Sequence, residues 1–119
     1  MIPKVFESEY RFCCIVWDNE PILSGELVKR CADELEWKKS TTYTVIKRLT
    51  ERGVIKNENS VITSLYSKEE VQCEESREFL GKTFNGSLPQ FIAAFTKNKS
   101  LTDGEAAEIR RMIENYREE

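Results

Sequence analysis

The chain has 119 residues, the length of one ordinary domain or of a small domain with an appendage. Hydrophobic residues make up 39% of it and charged residues 33%, which is typical of globular proteins and excludes disordered and collagen-like chains. The net charge of −3 argues against a uniformly basic nucleic-acid binder, and the lack of both a long apolar run and a secretory signal predicts a cytoplasmic protein without membrane insertion.

The sequence contains no histidine, which excludes the Ser-His-Asp and Cys-His nucleophile systems and histidine-containing zinc sites. The four cysteines, Cys13, Cys14, Cys31 and Cys73, form no Cys-x-x-Cys pair. We interpret them as reduced thiols, some of which fill the core as small apolar side chains. We therefore predict no metal site, no cofactor and no enzymatic activity. A cysteine-based redox or metal sensor stays open only if one of these thiols is exposed.

Charge is distributed unevenly along the chain. Residues 1–66 carry ten basic and ten acidic residues, whereas residues 67–119 carry eight basic and eleven acidic ones. Between Trp37 and Lys56 there are six basic residues against the single acid Glu51, which gives this stretch a local charge of +5. An anionic partner responds to such a local patch rather than to the total charge.

Three helices are predicted in the first half of the chain. Apolar residues spaced three and four apart indicate a helix over residues 9–17, with Ser8 as its N-cap. A second helix begins with Ser24 as N-cap, and a third runs over residues 39–52 until Gly53 ends it. Trp37 and Trp17 are interpreted as aromatic side chains that pack in the structure, not as stacking platforms for a ligand.

The period then changes from helical to extended. The runs 54–56 and 61–66 are rich in β-branched residues and surround a polar turn at residues 57–60, which predicts a hairpin. Three helices followed by a two-stranded ribbon is the order of a winged helix-turn-helix. In that architecture the third helix lies in the DNA major groove and the hairpin touches the backbone beside it.

The remaining residues are predicted to form three short helices. The first runs over residues 67–83, the second begins at Ser87 and Pro89, and the third follows a capping box of Thr102 and Glu105. Helices of this length bury too little surface to make a core alone, so we predict that a second copy of the chain completes it. The fold class is thus mostly α, with a winged-helix DNA-binding domain over residues 1–67 and a helical dimerisation domain over residues 68–119. The predicted dimerisation residues are Val71, Phe79, Leu80, Phe84, Phe91, Ile92, Phe95, Leu101, Ile109, Met112 and Ile113.

One side of the predicted third helix carries residues suited to DNA. At 100° per residue, hydroxyl and basic side chains share one face while Val45, Ile46 and Leu49 form the opposite stripe. Hydroxyls bond base edges and phosphates, threonine methyls pack on thymine methyls, and cations bind phosphates. A solvated helix face is the alternative for such a pattern, and the hairpin that follows favours DNA. The predicted DNA-binding residues are Lys38, Lys39, Ser40, Thr41, Tyr43, Thr44, Lys47 and Arg48, with Asn59 in the hairpin turn.

Short motifs in a fixed order resemble the penicillinase-repressor family of winged-helix repressors, which includes copper-responsive relatives. They comprise Glu9 and Tyr10, residues 15–17, Trp37 with Thr41, Thr44 and Arg48, residues 52–55, residues 66–67, residues 84–87, and residues 101–109. The resemblance covers nearly the whole chain. It implies a homodimer that binds an inverted-repeat operator in double-stranded DNA and represses β-lactam-resistance or related stress genes.

The resemblance also implies two ways of inducing the regulated genes. In antibiotic-responsive members a membrane sensor protease triggers cleavage at an Asn-Phe bond, and the matching position here is the bond between Ala94 and Phe95. Copper-responsive members carry Cys-x-Cys motifs near the C-terminus, whereas this chain has no cysteine after Cys73. Neither inducing signal therefore has its usual residues here.

A second reading is a winged-helix module that binds a protein partner through its acidic C-terminal helices and does not bind specific DNA. The negative total charge favours this alternative. Substitutions across residues 38–48 would leave its protein complex unchanged, whereas they would weaken a complex with DNA.

Overall fold

The computed structural model describes residues 2–118 and confirms the predicted fold class. Within these residues the chain forms a mostly helical fold with one small antiparallel sheet. The elements in chain order are α1 (Glu7–Asn19), β1 (Ile22–Leu23), α2 (Ser24–Leu35), α3 (Lys39–Arg52), β2 (Ile55–Glu58), β3 (Val61–Ser64), α4 (Lys68–Phe84), α5 (Leu88–Thr96) and α6 (Asp103–Tyr116).

The first helix begins earlier than the sequence pattern predicted. Phe6, not Ser8, is the N-cap, and the backbone amide of Phe6 donates a 3.0 Å hydrogen bond to Oε1 of Glu9. Glu9, three positions into the helix, thus reaches back to the N-cap amide, and no side chain caps the first amides of the helix. Phe12 and Val16 then point into the core, where neither has exposed surface.

The second helix begins one residue earlier than predicted, and the third helix spans the predicted residues. Helix α2 starts at Ser24, although Leu23 is the N-cap and the Ser24 side chain makes no cap. Helix α3 ends where Gly53 adopts a left-handed φ of 83°, a conformation that glycine takes without steric cost. Leu49, on the inward side of α3, is completely buried and joins the core with Phe12 and Leu27.

The wing is a three-stranded sheet in the order β1-β3-β2, one strand more than predicted. Ile22 pairs with Ile62, and this two-residue strand is too short to leave a periodic signal in the sequence. The turn is also tighter than predicted. Residues 57 and 58 belong to β2, and only Asn59 and Ser60 connect the strands, because Glu58 pairs directly with Val61.

Replacing Ser60 by glycine is expected to raise the free energy of unfolding by about 0.5–1 kcal/mol. Asn59 and Ser60 have φ angles of 52° and 68°, the left-handed pair of a type I′ turn. Asparagine tolerates this conformation, whereas serine is strained in it and glycine is not. Urea unfolding of the two proteins measures the difference, and a less stable glycine variant would contradict this account of the turn.

The chain divides into two compact units, residues 1–76 and 77–119. The boundary predicted after residue 67 coincides with the start of α4, but the first unit extends further along that helix. Val71 explains why: it is 1% exposed and belongs to the core cluster of the winged-helix unit. Val71 was predicted to contact a second copy, and its burial in this core removes it from any exposed surface.

The second unit is built around a group of phenylalanine rings. Phe84 lies 5.5 Å from Phe91 and 5.8 Å from Phe79, measured between ring centroids, and Phe95 lies 6.0 Å from Phe91. Helix α5 begins at the predicted N-cap, where the Ser87 hydroxyl accepts a hydrogen bond from the backbone of Gln90. None of the described residues 77–118 is fully buried, so these rings form a cluster at the surface and not an enclosed core.

Candidate nucleic-acid interface

The predicted DNA-binding side of α3 is exposed along its whole length. All eight residues predicted there are exposed, whereas Val45, Ile46 and Leu49 face the core. Thr42, which was not among the predicted residues, is completely buried within the same stretch. The hydrophobic stripe of the sequence therefore fixes the rotation of α3, and that rotation brings the hydroxyl and basic side chains together on the surface.

The start of α3 presents free backbone donors next to cations. Lys38 is the N-cap, and no side chain caps the helix and no acid lies in its first turn. The first backbone hydrogen bond of the helix joins the amide of Thr42 to the carbonyl of Lys38 at 3.1 Å, so the preceding amides have no helical partner. Uncapped amides at the positive end of the helix dipole, flanked by Lys38 and Lys39, suit a phosphate group.

One hydroxyl on this side is already engaged within the helix. Oγ1 of Thr44 donates a 2.9 Å hydrogen bond to the carbonyl of Ser40, one turn earlier. This bond leaves the exposed methyl group of Thr44 as the part that can make an apolar contact. A threonine methyl is the natural partner of the thymine methyl in the major groove.

The cations of the basic stretch fall into two groups. Arg52 pairs with Glu9 and Lys56 pairs with Glu58 at 3.0 Å, so two of the six charges are compensated within the protein. The other four are Lys38, Lys39, Lys47 and Arg48, and none of them has a carboxylate partner within 4.0 Å among residues 2–118. The uncompensated positive charge is therefore concentrated on α3 itself.

The pairing of Arg52 with Glu9 was missed by the sequence analysis. The guanidinium donates to both carboxylate oxygens, from Nη1 at 2.6 Å and from Nη2 at 3.2 Å, and Nη1 also donates to the carbonyl of Lys4 at 2.9 Å. The Phe6 ring lies 5.4 Å from the guanidinium. Glu9 lies four residues before Cys13 and so falls on the buried side of α1. Because a buried acid needs a compensating partner, this position could have indicated an ion pair.

The environment of Glu9 holds its carboxyl group in the ionised form. Burial alone would raise the pKa of Glu9, but the hydrogen bonds from Arg52 and from the Phe6 amide, with the positive charges of Arg52 and Arg48, outweigh it and lower the pKa. Of these causes the charge of Arg48, one helical turn before Arg52, is the smallest.

The last predicted DNA-binding residue belongs to the wing. Asn59 is exposed at the hairpin tip. An open groove between α3 and β2 is lined by Tyr43, Lys47 and Asn57, among other residues. This groove lies between the exposed side of α3 and strand β2 of the wing.

The aromatic residues near α3 are structural, as predicted. Trp37 stacks on Phe12, with ring centroids 5.9 Å apart and the planes inclined by 10°. The indole of Trp17 donates a 2.9 Å hydrogen bond to the carbonyl of Tyr66, which ties α1 to the segment after the wing. Both tryptophans are partly buried against the hydrophobic core.

The cysteines are unpaired, as predicted, and Cys13 and Cys31 lie in the core. Burial raises the pKa of Cys13 to about 12 and that of Cys31 to about 11, the latter in spite of a hydrogen bond with Thr42. These two thiols stay protonated and unreactive at neutral pH. Cys73 is exposed on α4. Among residues 2–118 no group of side chains could hold a metal ion.

The predicted dimerisation residues of the second unit lie at or near its surface. Phe79, Ile92, Phe95, Met112 and Ile113 are between 37% and 56% exposed. Those that are half-buried are Leu80, Phe84, Phe91, Leu101 and Ile109.

The predicted cleavage position lies within a helix. Ala94 is exposed, and its bond to Phe95 lies inside α5. No helix within residues 2–118 is long and apolar enough to cross a membrane.

Comparison with known proteins identifies the family. The family model described as penicillinase repressor matches residues 6–115. The penicillinase repressor of Bacillus licheniformis is 22% identical over 98% of this chain and 94% of its own length. The methicillin resistance regulatory protein MecI of Staphylococcus aureus is 22% identical over 92% of this chain and 93% of its own. The penicillinase repressor of Staphylococcus aureus is 24% identical over 92% of this chain and 90% of its own length.

The match to the family model spans both compact units and includes α3, the wing and the C-terminal helices. Members of the matched family are DNA-binding regulators and not enzymes, in agreement with the prediction made from the missing histidine. The fold and the family model lead to the same conclusion. The chain belongs to the penicillinase repressor family of transcriptional regulators.

Proposed function

We propose that this protein is a homodimeric repressor that binds an inverted-repeat operator, with α3 in the major groove of each half-site. The observation that carries this proposal is the exposed side of α3. It combines hydroxyl, phenol and basic side chains, and its four cations have no carboxylate partner within 4.0 Å among the described residues. A surface of this kind in a winged helix suits the edges of base pairs and the phosphates that flank them.

Different parts of this surface serve different parts of the DNA. Lys38, Lys39 and the uncapped amides at the start of α3 suit phosphates, which fix the register of the protein on the duplex. Thr41 and Thr44 lie on the exposed side further along the helix, where methyl groups and hydroxyls meet base edges. We assign Asn59, at the exposed tip of the wing, to the adjacent phosphate backbone.

The second unit supports dimer formation. Its described residues include none that is fully buried, while Phe79, Phe95, Met112 and Ile113 expose about half of their surface. Apolar exposure of this kind marks an interaction surface. A second copy of the chain is the occupant that fits an inverted-repeat operator, because two-fold symmetry of the protein matches two-fold symmetry of the DNA.

The relatives are named for penicillinase repression and methicillin resistance, so β-lactam-resistance genes are the first class to consider as targets. A membrane sensor protease would then be the partner that ends repression, with the bond between Ala94 and Phe95 as its substrate. That bond lies within α5, and proteases bind extended chains, so we expect cleavage to require unwinding of this helix.

Replacing Arg48 by alanine is expected to weaken operator binding by about 1–3 kcal/mol, the usual result of losing one base or phosphate contact. If the contact is to a phosphate, the slope of log affinity against log salt falls by about one unit. The measurement is fluorescence anisotropy with a duplex that carries the inverted repeat upstream of the gene for this chain. A scrambled duplex and two salt concentrations separate specific from non-specific binding.

Arg11→Ala is the matched control, because Arg11 is also an exposed arginine but lies on α1, in a groove shared with Gln72 and Glu75. This variant should bind as the wild type does. Equal affinity of the Arg48 and Arg11 variants would remove α3 from the interface. A folded dimer that binds no duplex specifically would favour a protein-interaction module instead.

A further inference from the structure

Arg52 belongs to the DNA-facing helix but is turned into the protein. Its guanidinium contacts both oxygens of Glu9 and the carbonyl of Lys4, and the Arg52 side chain is only 25% exposed. An arginine with this many internal bonds cannot also reach a phosphate without giving them up. Its position at the end of α3 therefore calls for a role other than DNA contact.

The partner of Arg52 is a carboxylate that needs compensation. The Glu9 side chain is 4% exposed, so little water solvates its charge. A buried carboxylate without a partner is unfavourable because its lost hydration is not compensated. An ion pair with a nearby cation would reduce this cost.

Arg48 is the cation that would respond. It lies four residues before Arg52, which places the two side chains next to each other along the helix surface. Its charge already acts on Glu9, although its own guanidinium makes no ion pair within 4.0 Å among residues 2–118. Arg52 holds the Glu9 carboxylate, and Arg48 is the basic side chain one helical turn before it.

We propose that Arg52 is a positioning residue that neutralises the buried Glu9 carboxylate and so keeps Arg48 available to the DNA. This inference rests on the proposed function, because it assigns Arg48 to the operator. It divides the basic residues of α3 into those that contact DNA and one that prevents the protein's own acid from competing with the phosphates. Glu9 and Arg52 then influence DNA binding only through Arg48.

A double-mutant cycle tests this division. Arg52→Gln is expected to lower operator affinity at least about fivefold, equivalent to losing one DNA contact, because Arg48 turns to Glu9. Adding Glu9→Gln to that variant removes the competing carboxylate and is expected to restore affinity to within about twofold of the wild type. In an Arg48→Ala background, Arg52→Gln should have no further effect. Circular dichroism melting of each variant verifies that it is folded at the assay temperature.

A second measurement needs no DNA. The pKa of the Glu9 carboxyl, followed by NMR, is expected to be higher in the variant that lacks both Arg48 and Arg52 than in Arg52→Gln alone, because Arg48 replaces the missing partner. The Phe6 amide and the Cys13 thiol also lie beside Glu9, and Lys4 lies nearby with Nζ 5.6 Å from the Phe6 ring centroid; all these variants retain the three residues. Equal Glu9 pKa values in the two proteins would overturn the proposal.

The possible failures can be told apart. If Arg52→Gln binds the operator like the wild type, or if adding Glu9→Gln does not restore affinity, Arg52 does not act through Glu9 and the inference is wrong. If the wild type itself shows no preference for the operator, the proposed function fails instead. The NMR titration still decides, in that case, whether Arg48 and Arg52 compete for Glu9.

Discussion

Replacing Ile113 by glutamate is expected to convert the proposed dimer to a monomer and to lower operator affinity by about 100-fold or more. Ile109, Met112, Ile113 and Tyr116 follow helical spacing on α6, and three of them expose more than half of their surface. A charge placed within such a face would have to lose its water in the interface, which is unfavourable without a partner. A monomer then loses the gain of binding two half-sites at once, typically about 10²–10⁴-fold.

Sedimentation velocity measures the oligomeric state, and the anisotropy assay measures the affinity of the same sample. Ala107→Glu is the matched control: it introduces the same charge on α6 at an exposed position on the opposite side of the helix from the apolar face. That variant should remain a dimer with nearly unchanged affinity. A dimeric Ile113→Glu protein would show that α6 takes no part in the interface.

Replacing Leu49 by alanine is expected to lower the free energy of unfolding by about 2–5 kcal/mol. Leu49 has no exposed surface and lies where the inward side of α3 meets Phe12 and Leu27 in the core. The substitution removes buried methyl groups and leaves a cavity that the neighbouring helices fill only in part. Urea unfolding followed by circular dichroism gives the difference.

Lys47→Ala separates stability from binding on the same helix. Lys47 is exposed two residues before Leu49, so its loss should change the free energy of unfolding by no more than about 0.5 kcal/mol while weakening the DNA complex. Leu49→Ala should lower the free energy of unfolding and leave DNA affinity nearly unchanged when it is measured at a temperature where the variant is still folded. If Leu49→Ala left stability unchanged, the packing described for α3 would be incorrect.

Features that depend on neighbouring residues were predictable from the sequence. Gly53 ends α3, Ser87 caps α5, and the hydroxyl of Thr102 accepts from the amide of Glu105 at 3.0 Å, because each bond joins residues a few positions apart. The rotation of α3 was equally accessible, since Val45, Ile46 and Leu49 could only face inward. The family resemblance came from the same short motifs, whose order reflects these elements.

What the sequence did not reveal depends on contacts between distant residues. Strand β1 exists only because Ile22 meets Ile62, and the compensation of Arg52 requires a carboxylate that lies 43 positions away. The local charge of +5 therefore overstated what DNA can encounter. Val71 illustrates the same limit: an apolar residue on a helix can face its own core or another molecule, and spacing alone does not distinguish the two.

Both tryptophans, Trp17 and Trp37, belong to the first unit, and residues 77–119 contain none. Trp37 rests on Phe12 just before α3, and Trp17 is bound to Tyr66 just after the wing. Tryptophan fluorescence therefore reports on the winged helix and does not respond to changes confined to the C-terminal helices. Dissociation of a dimer without loss of the DNA-binding fold would pass unseen in such a spectrum, whereas unfolding around α3 would shift it.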